Sequence, residues 1–261
     1  MRAGSGGGFG ALSLALLLVA AAILGGCSQG GREAGWVDEA RLQSAAEEPG
    51  QWFTSGRDAD GTYFSPLTRI SDANVTRLGF AWDYRLGTRR GLQATPVVVD
   101  GIMVFPGNWG RVYALDARTG KELWTFDPQV DGQVGRHACC DVVSRGLSVW
   151  KGKVYTVALD GKLSALDLKT GKPVWQAKTI TDPTFDYTVT GAPQIAGKVV
   201  VVGSSGADFG ARGYVAGYDL ETGRERWRSF VVPRNPALGP QETPELETAL
   251  KSWSPDTDWR H

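Results

Sequence analysis

The chain has 261 residues, 42% of them hydrophobic and ten of them Trp. That apolar content supports a substantial buried core and excludes an intrinsically disordered chain. Lys+Arg and Asp+Glu cancel at 28 each, so no general field draws in DNA, RNA or an anionic membrane surface, and partners must be recognised locally.

At the N-terminus, Arg2 precedes an apolar run from Ala11 to Leu24. The run is too short and too poorly flanked for a transmembrane helix and reads as a secretory signal. Leu24-Gly25-Gly26-Cys27 resembles a bacterial lipobox, in which Cys27 is lipidated and becomes the mature N-terminus. Residues 1–27 are therefore expected to be a lipoprotein signal peptide; a signal peptide cut elsewhere, with Cys27 a bystander, is the alternative. Ser28 in place of Asp after the cysteine implies the outer membrane. Export implies an oxidising compartment, the periplasm.

Residues 28–50 are small and polar, suit a tether, and include a short predicted helix from Val37 to Ala46. From Gln51 to Gly87 runs an aromatic-rich lead-in that ends in a strand-like Leu78-Gly79-Phe80-Ala81-Trp82. An internal repeat follows. Ala114-Leu115-Asp116-Ala117-Arg118-Thr119-Gly120-Lys121-Glu122-Leu123-Trp124 recurs around Asp167, Thr170, Gly171 and Trp175, and again around Asp219, Thr222, Gly223 and Trp227. Trp124, Trp175 and Trp227 lie 51 and 52 residues apart, a period expected of propellers and solenoids.

Each copy carries hairpin chemistry, with an Asp to cap the turn, a Gly for positive φ and β-rich flanks, and another hairpin lies upstream of each copy. Four short strands per repeat make a propeller blade, and the recurring Trp is suited to docking one blade against the next. The expected class is all-β, with about three four-stranded blades near 95–127, 148–178 and 191–230. A sandwich needs no fixed period and is the weaker reading. Three blades do not close a ring, so the chain reads as the front portion of a longer protein. After Phe230 the sequence turns polar and Pro-rich, with a short helix predicted near Pro244–Trp253.

Between the first two blades stand two neighbouring cysteines, in Gly135-Arg136-His137-Ala138-Cys139-Cys140-Asp141-Val142-Val143-Ser144-Arg145-Gly146. With Cys27 removed, counting leaves one intrachain bridge for an oxidising compartment. A bond between adjacent residues closes a very small, strained ring. Such a flat sulfur surface offers a stacking platform for a planar cofactor, and the Arg145 guanidinium could meet that cofactor's negative charge. Free thiols, or a zinc site completed by His137, are weaker readings, because no Cys-x-x-Cys is present and adjacent cysteines chelate one ion poorly. The bland readings are a solvated Arg145, a turn-forming Asp208, and Thr190 and Ser205 as polar strand ends. Asp116, Asp167 and Asp219 are turn chemistry on separate blades.

The blade motif, the paired cysteines and their order resemble the quinoprotein alcohol dehydrogenases, eight-bladed propellers carrying pyrroloquinoline quinone (PQQ) and a metal ion. The similarity runs from Gln51 to His261. It includes Ser65-Pro66-Leu67, Arg89-Arg90-Gly91-Leu92-Gln93-Ala94-Thr95-Pro96, the Cys139-Cys140 stretch, Thr190-Gly191-Ala192-Pro193 and Gly206-Ala207-Asp208-Phe209-Gly210. The resemblance implies that Cys139 and Cys140 form a disulfide under one cofactor face, and that Arg145 contacts the quinone oxygens. Thr190 would contact a cofactor carboxylate; Ser205, Gly206 and Ala207 would approach its other end; Asp208 would be a ligand to Ca²⁺ or a lanthanide ion. Gln93 stands where the family usually has Glu, and Asp208 also replaces Glu, one methylene shorter.

The family's covering Trp, its Asn metal ligand and its Asp base do not match any residue here, so no catalytic residue is assigned and the isolated chain should not turn over. What the resemblance implies is the N-terminal part of an exported, lipid-anchored PQQ-dependent alcohol dehydrogenase that oxidises a small alcohol by hydride transfer to PQQ with metal assistance. Its electrons would pass to an acceptor such as a cytochrome c. The alternative is a non-catalytic propeller lipoprotein serving as an outer-membrane assembly scaffold, which leaves Cys139-Cys140 unexplained.

Overall fold

The computed structural model describes residues 33–259; the signal-peptide and Cys27 expectations lie outside them. Among the described residues, twelve strands form three four-stranded antiparallel sheets. The first holds β1 (Val97–Val99), β2 (Ile102–Pro106), β3 (Val112–Asp116) and β4 (Glu122–Phe126). The second holds β5 (Ser148–Trp150), β6 (Lys153–Val157), β7 (Lys162–Asp167) and β8 (Pro173–Lys178). The third holds β9 (Gln194–Ala196), β10 (Val199–Gly203), β11 (Tyr214–Asp219) and β12 (Glu225–Phe230). In each, sequential strands are neighbours, the up-and-down meander of a propeller blade. No helix among the described residues is long and apolar enough to cross a membrane.

The repeated turn does what its chemistry predicts. Asp116 Oδ1 accepts from the Arg118 and Thr119 backbone N–H groups and, at 2.7 Å, from the Thr119 hydroxyl. Asp167 and Asp219 repeat the pattern with Thr170 and Thr222. The threonine hydroxyl and then its N–H hold the Asp116 and Asp219 carboxyls below their ordinary range. These caps are therefore intact above the usual aspartate pKa and lost as pH falls through the lowered value. In all three blades the register shifts at one equivalent point, between Ala114/Leu115, Ala165/Leu166 and Gly217/Tyr218. A bulge there twists the strand pair and re-aims the nearby Trp.

That Trp reaches the next blade. Trp124 Nε1 donates to Leu168 O at 2.9 Å, and Trp175 Nε1 donates to Leu220 O at 3.0 Å. Its ring lies on the glycine of the neighbouring turn: a Cβ on Gly171 (φ +68°) would sit 2.5 Å from the Trp124 ring, and one on Gly223 2.5 Å from Trp175. Beneath these contacts, Val97, Val99, Val104 and Ala114 of the first blade pack with Val149, Val154, Leu166 and Leu168 of the second. Tyr155, Leu163 and Ala165 continue this core into Val200, Ala216 and Tyr218 of the third.

The strand-like 78–82 segment is not a strand. Residues 82–86 form no regular element, and Trp82, Tyr84 and Leu86 pack against Phe105, Tyr113 and Leu115 of the first blade. Alternation is present, but among the described residues no strand lies alongside to complete a ladder. Trp82 nevertheless docks like its successors, its ring 2.5 Å from where a Gly120 Cβ would stand.

Within the stretch 28–50 expected as a tether, residues 34–50 pack against the blades. The predicted short helix appears as α1 (Glu39–Gln43) and a following 3₁₀ turn, Ala45–Glu47. Arg41, only 3% exposed, donates to both oxygens of Glu48, to both of Asp100 and to Trp36 O, and its guanidinium lies 4.8 Å from the Phe53 ring centroid. Lys151 N donates to Val37 O at 2.8 Å. Arg41 thus pins the segment to the β1–β2 turn of the first blade, and the Val37–Lys151 bond ties it to the β5–β6 turn of the second. Composition alone could not show this, because the partners of Arg41 lie in the turn of another element. The predicted C-terminal helix appears as α2 (Pro244–Leu250), capped by Thr243.

Connections β1–β2 and β3–β4 lie at one end of each blade. Those joining β2 to β3, and one blade to the next, lie at the other, where the candidate site forms.

Replacing Trp124 by Ala is expected to cost about 3–5 kcal/mol in urea unfolding, as for other buried aromatics. Gly171→Val should be destabilising as well, since its side chain meets the indole from a left-handed backbone. Little change in either would show that the blades cohere without the docked ring. Arg41→Met should remove the guanidinium that Glu48 and Asp100 share and release residues 34–50. Limited proteolysis would then cut first in that segment, ahead of the blades.

Candidate functional site

The cysteine loop joins β4 to β5. Val142 and Val143 are buried and root it in the core, and Trp109 N donates to Val142 O at 2.9 Å. Trp109 also backs the loop from below, its ring 3.0 Å from where a Gly135 Cβ would stand. Held at both places, the loop leaves Cys139 and Cys140 exposed, their Sγ atoms 2.6 Å apart as free thiols. His137 does not turn to the cysteines. Its Nδ1 pairs with Asp186 Oδ1 at 2.6 Å, and among the described residues no group of three His, Cys, Asp or Glu side chains could hold a metal ion.

Arg145 links this loop to the connection between β8 and β9. Its backbone N donates to Thr190 O at 2.9 Å, and its Nη1 donates to Thr190 Oγ1. Thr190, 7% exposed, lies 3.4 Å oxygen to oxygen from Ser205. Thr188 and Ser205 exchange backbone hydrogen bonds of 3.2 and 2.7 Å, an isolated antiparallel bridge. Ser205 opens the connection between β10 and β11, where Gly206 has φ +120°. A Cβ there would lie 2.5 Å from Asp186 O and 2.9 Å from the Ala211 methyl, so only glycine fits. Asp208 follows, exposed, in the 3₁₀ turn Ala207–Phe209. A cleft of about 440 Å³ lies against Asp186, Ala207, Asp208, Phe209 and Gly210.

Electrostatics ties the two sides together. The Cys139 thiol is pushed above its ordinary pKa, first by its hydrogen bond with Cys140, then by slight desolvation and by the Cys140 and Asp208 charges, against an opposing pull from Arg145. Asp208 and Arg145 therefore both act on Cys139.

Eight of the nine residues singled out from sequence around the cofactor, Cys139, Cys140, Arg145, Thr190, Ser205, Gly206, Ala207 and Asp208, gather at this end of the blades. Gln93 does not join them by any hydrogen bond among the described residues. It is exposed, though its loop is held nearby by Asn108 Nδ2 donating to Gly91 O at 2.9 Å and by an Arg90–Asp141 ion pair. Three features of the site escaped the sequence reading: the Arg90–Asp141 pair, the His137–Asp186 pair and the backing indole of Trp109. The pairs join residues about fifty apart with no periodic relation, so no local pattern announces them.

A model of the PQQ family, "Glucose/ethanol/alcohol dehydrogenase, beta-propeller domain", matches residues 52–257. The chain is 51% identical over 220 residues to quinohemoprotein alcohol dehydrogenase ADH-IIG of Pseudomonas putida, covering 84% of this chain and 30% of that protein. It is 47% identical over 206 residues to the 1-butanol dehydrogenase (cytochrome c) of Thauera butanivorans, covering 79% and 30%. Among solved structures, the quinohemoprotein alcohol dehydrogenase of Comamonas testosteroni superposes with a TM-score of 0.80 at 46% identity, covering 85% of this chain and 33% of the other. A europium-containing methanol dehydrogenase gives 0.69 at 38% identity, covering 76% and 34%. The chain thus spans about a third of the length of the relatives it matches. Docked four-stranded blades, the clustered loops and this match over most of its residues lead to one conclusion: the chain belongs to the PQQ β-propeller family of glucose, ethanol and alcohol dehydrogenases.

Proposed function

We propose that this chain supplies the N-terminal part of the propeller of an exported, PQQ-dependent alcohol dehydrogenase, and with it one side of the cofactor site. The observation that carries the reading is the convergence of an exposed cysteine pair, Arg145, Thr190, Ser205 and Asp208 from three separate connections. The donor set suits a planar, multiply anionic quinone. Arg145 spends one N–H on Thr190, and a guanidinium has five.

When bound, the quinone supplies a two-electron acceptor for the hydride of an alcohol. The residues of this chain do the rest of the work on their side. Cys139 and Cys140, once oxidised to a disulfide, would form a stiff bed for one cofactor face. Arg145 would hold the quinone oxygens and would stabilise negative charge there. The Thr190 and Ser205 hydroxyls and the Gly206–Ala207 backbone hold the acidic edge, and the Gln93 amide can contact it without charge repulsion. Asp208 offers a hard carboxylate oxygen to Ca²⁺ or a lanthanide ion; a europium-containing relative supports a lanthanide reading. A cytochrome c acceptor is supported by the name of the butanol-oxidising relative.

Lipidation at Cys27, with anchoring in the periplasm at the outer membrane, belongs to the same proposal and rests on the lipobox-like stretch. The comparisons do not favour the scaffold alternative.

The full-length gene product, reconstituted with PQQ and Ca²⁺ or La³⁺, should reduce a dye in an alcohol-dependent manner, and Arg145→Ala should lower kcat/KM by roughly 10²–10³-fold. No activity with any metal in a protein that binds the quinone would count against the dehydrogenase assignment. Thiol titration of the exported protein should find Cys139 and Cys140 oxidised. After reduction, Cys139 should alkylate slowly near neutral pH and faster only above the usual thiol range, because its raised pKa keeps it protonated.

A further inference from the structure

Among the described residues, two side-chain ties join the cysteine loop to the connection between β8 and β9. The first is the Arg145–Thr190–Ser205 chain, made of residues already implicated in cofactor binding. The second is the His137–Asp186 pair, which the proposed function does not use. His137 ends the 3₁₀ segment Gly132–His137 and stands two residues before Cys139. Asp186 leads into the Thr188 bridge to Ser205, and its carbonyl oxygen presses on Gly206, 2.5 Å from where a Cβ would stand. Asp186 also shares the walls of the cleft with Ala207 and Asp208.

At 2.6 Å the contact is a charge-assisted hydrogen bond when His137 is protonated. Its side chains are 41% and 44% exposed, so solvent screens it and it adds little to global stability. Its leverage is geometric. It joins residues 49 apart in sequence (186 minus 137) at the mouth of the site, across loops that the blade sheets themselves do not clamp.

We infer that His137 and Asp186 are positioning residues that set the spacing between the Cys139–Cys140 bed and the Gly206–Asp208 loop, and thereby the affinity for the anionic planar quinone. This rests on the quinone-binding reading above. Neither residue need touch the cofactor. The tie holds His137 toward Asp186 and so orients the cysteine loop, while the same aspartate's backbone fixes Gly206.

The test uses the full-length protein, with PQQ affinity measured by quenching of Trp fluorescence and with amide exchange followed in residues 205–210. His137→Ala and Asp186→Asn should each weaken PQQ binding roughly three- to five-fold, and the double variant should be no weaker than either single one. Exchange in 205–210 should quicken in all three, with the melting temperature unchanged. His137→Lys, which keeps a cation opposite Asp186, should return affinity to within about two-fold of the unaltered protein. Unchanged affinity and exchange in His137→Ala would overturn the inference alone. So would a loss of affinity that follows a fall in melting temperature and is not rescued by lysine. Failure of the unaltered protein to bind PQQ would instead sink the quinone reading, and this inference with it.

Discussion

The arrangement depends on an indole laid over a glycine. Trp82 on Gly120, Trp124 on Gly171 and Trp175 on Gly223 repeat one contact three times, each excluding a Cβ by about the same margin. For Trp124 and Trp175 the ring nitrogen also donates to a carbonyl just past the neighbouring strand, so the joint fixes both distance and rotation. Dispersion over a flat ring gives cohesion, and the hydrogen bond gives direction. An Asp-capped turn presents the glycine, and the bulge beside the Trp aims the ring at it. Remove any of these parts and the blade-to-blade angle is no longer specified.

That angle decides where the site residues meet. Cys139 and Cys140 come from the connection after the first blade, Thr190 from the one after the second, and Asp208 from a connection within the third. None of them is close to another in sequence except the cysteines and Arg145. They converge because the meander sends these connections to the same end of each blade, and because the docked indoles stack the blades in one rotation. The hydrogen bonds between Arg145, Thr190 and Ser205 then refine a proximity that the sheets have already created. The opposing influences of Asp208 and Arg145 on Cys139 follow from that convergence.

Much of this was legible in the residues, because blade chemistry is local and periodic. Asp116, Thr119, Gly120 and Trp124 declare a turn and a docking ring within nine residues, and the recurrence of the set declares the stacking. The cofactor-facing residues were legible through resemblance, which places Thr190 and Asp208 without any knowledge of the fold. Arg41 was not. A lone arginine in a small, polar stretch looks like tether until Asp100, 59 residues away, is seen to accept two of its N–H groups. The His137–Asp186 and Arg90–Asp141 pairs were hidden for the same reason, since a contact between aperiodic loops leaves no trace in spacing. The 78–82 reading failed differently. Alternation was real, and Trp82, Tyr84 and Leu86 do face the first blade, but a strand also requires a backbone partner.

The two flanks of the three blades are unequal in a way that follows from the same joint. On one, Trp82 already occupies its glycine while its segment has no ladder, and Phe80 stands 81% exposed. On the other, Trp227 is 43% exposed and lies against Gly217 of its own blade, where the earlier copies have Ala114 and Ala165 opposite the Trp. An indole poised without a neighbouring turn, and a strand-like segment poised without a sheet, are complementary deficits. A further blade bearing the same Asp-capped turn would cover the first, and one lending three strands would complete the second. Trp124, seated on the turn of the next blade, is 8% exposed, whereas Trp227, with no such turn against it among the described residues, keeps much of its ring in solvent.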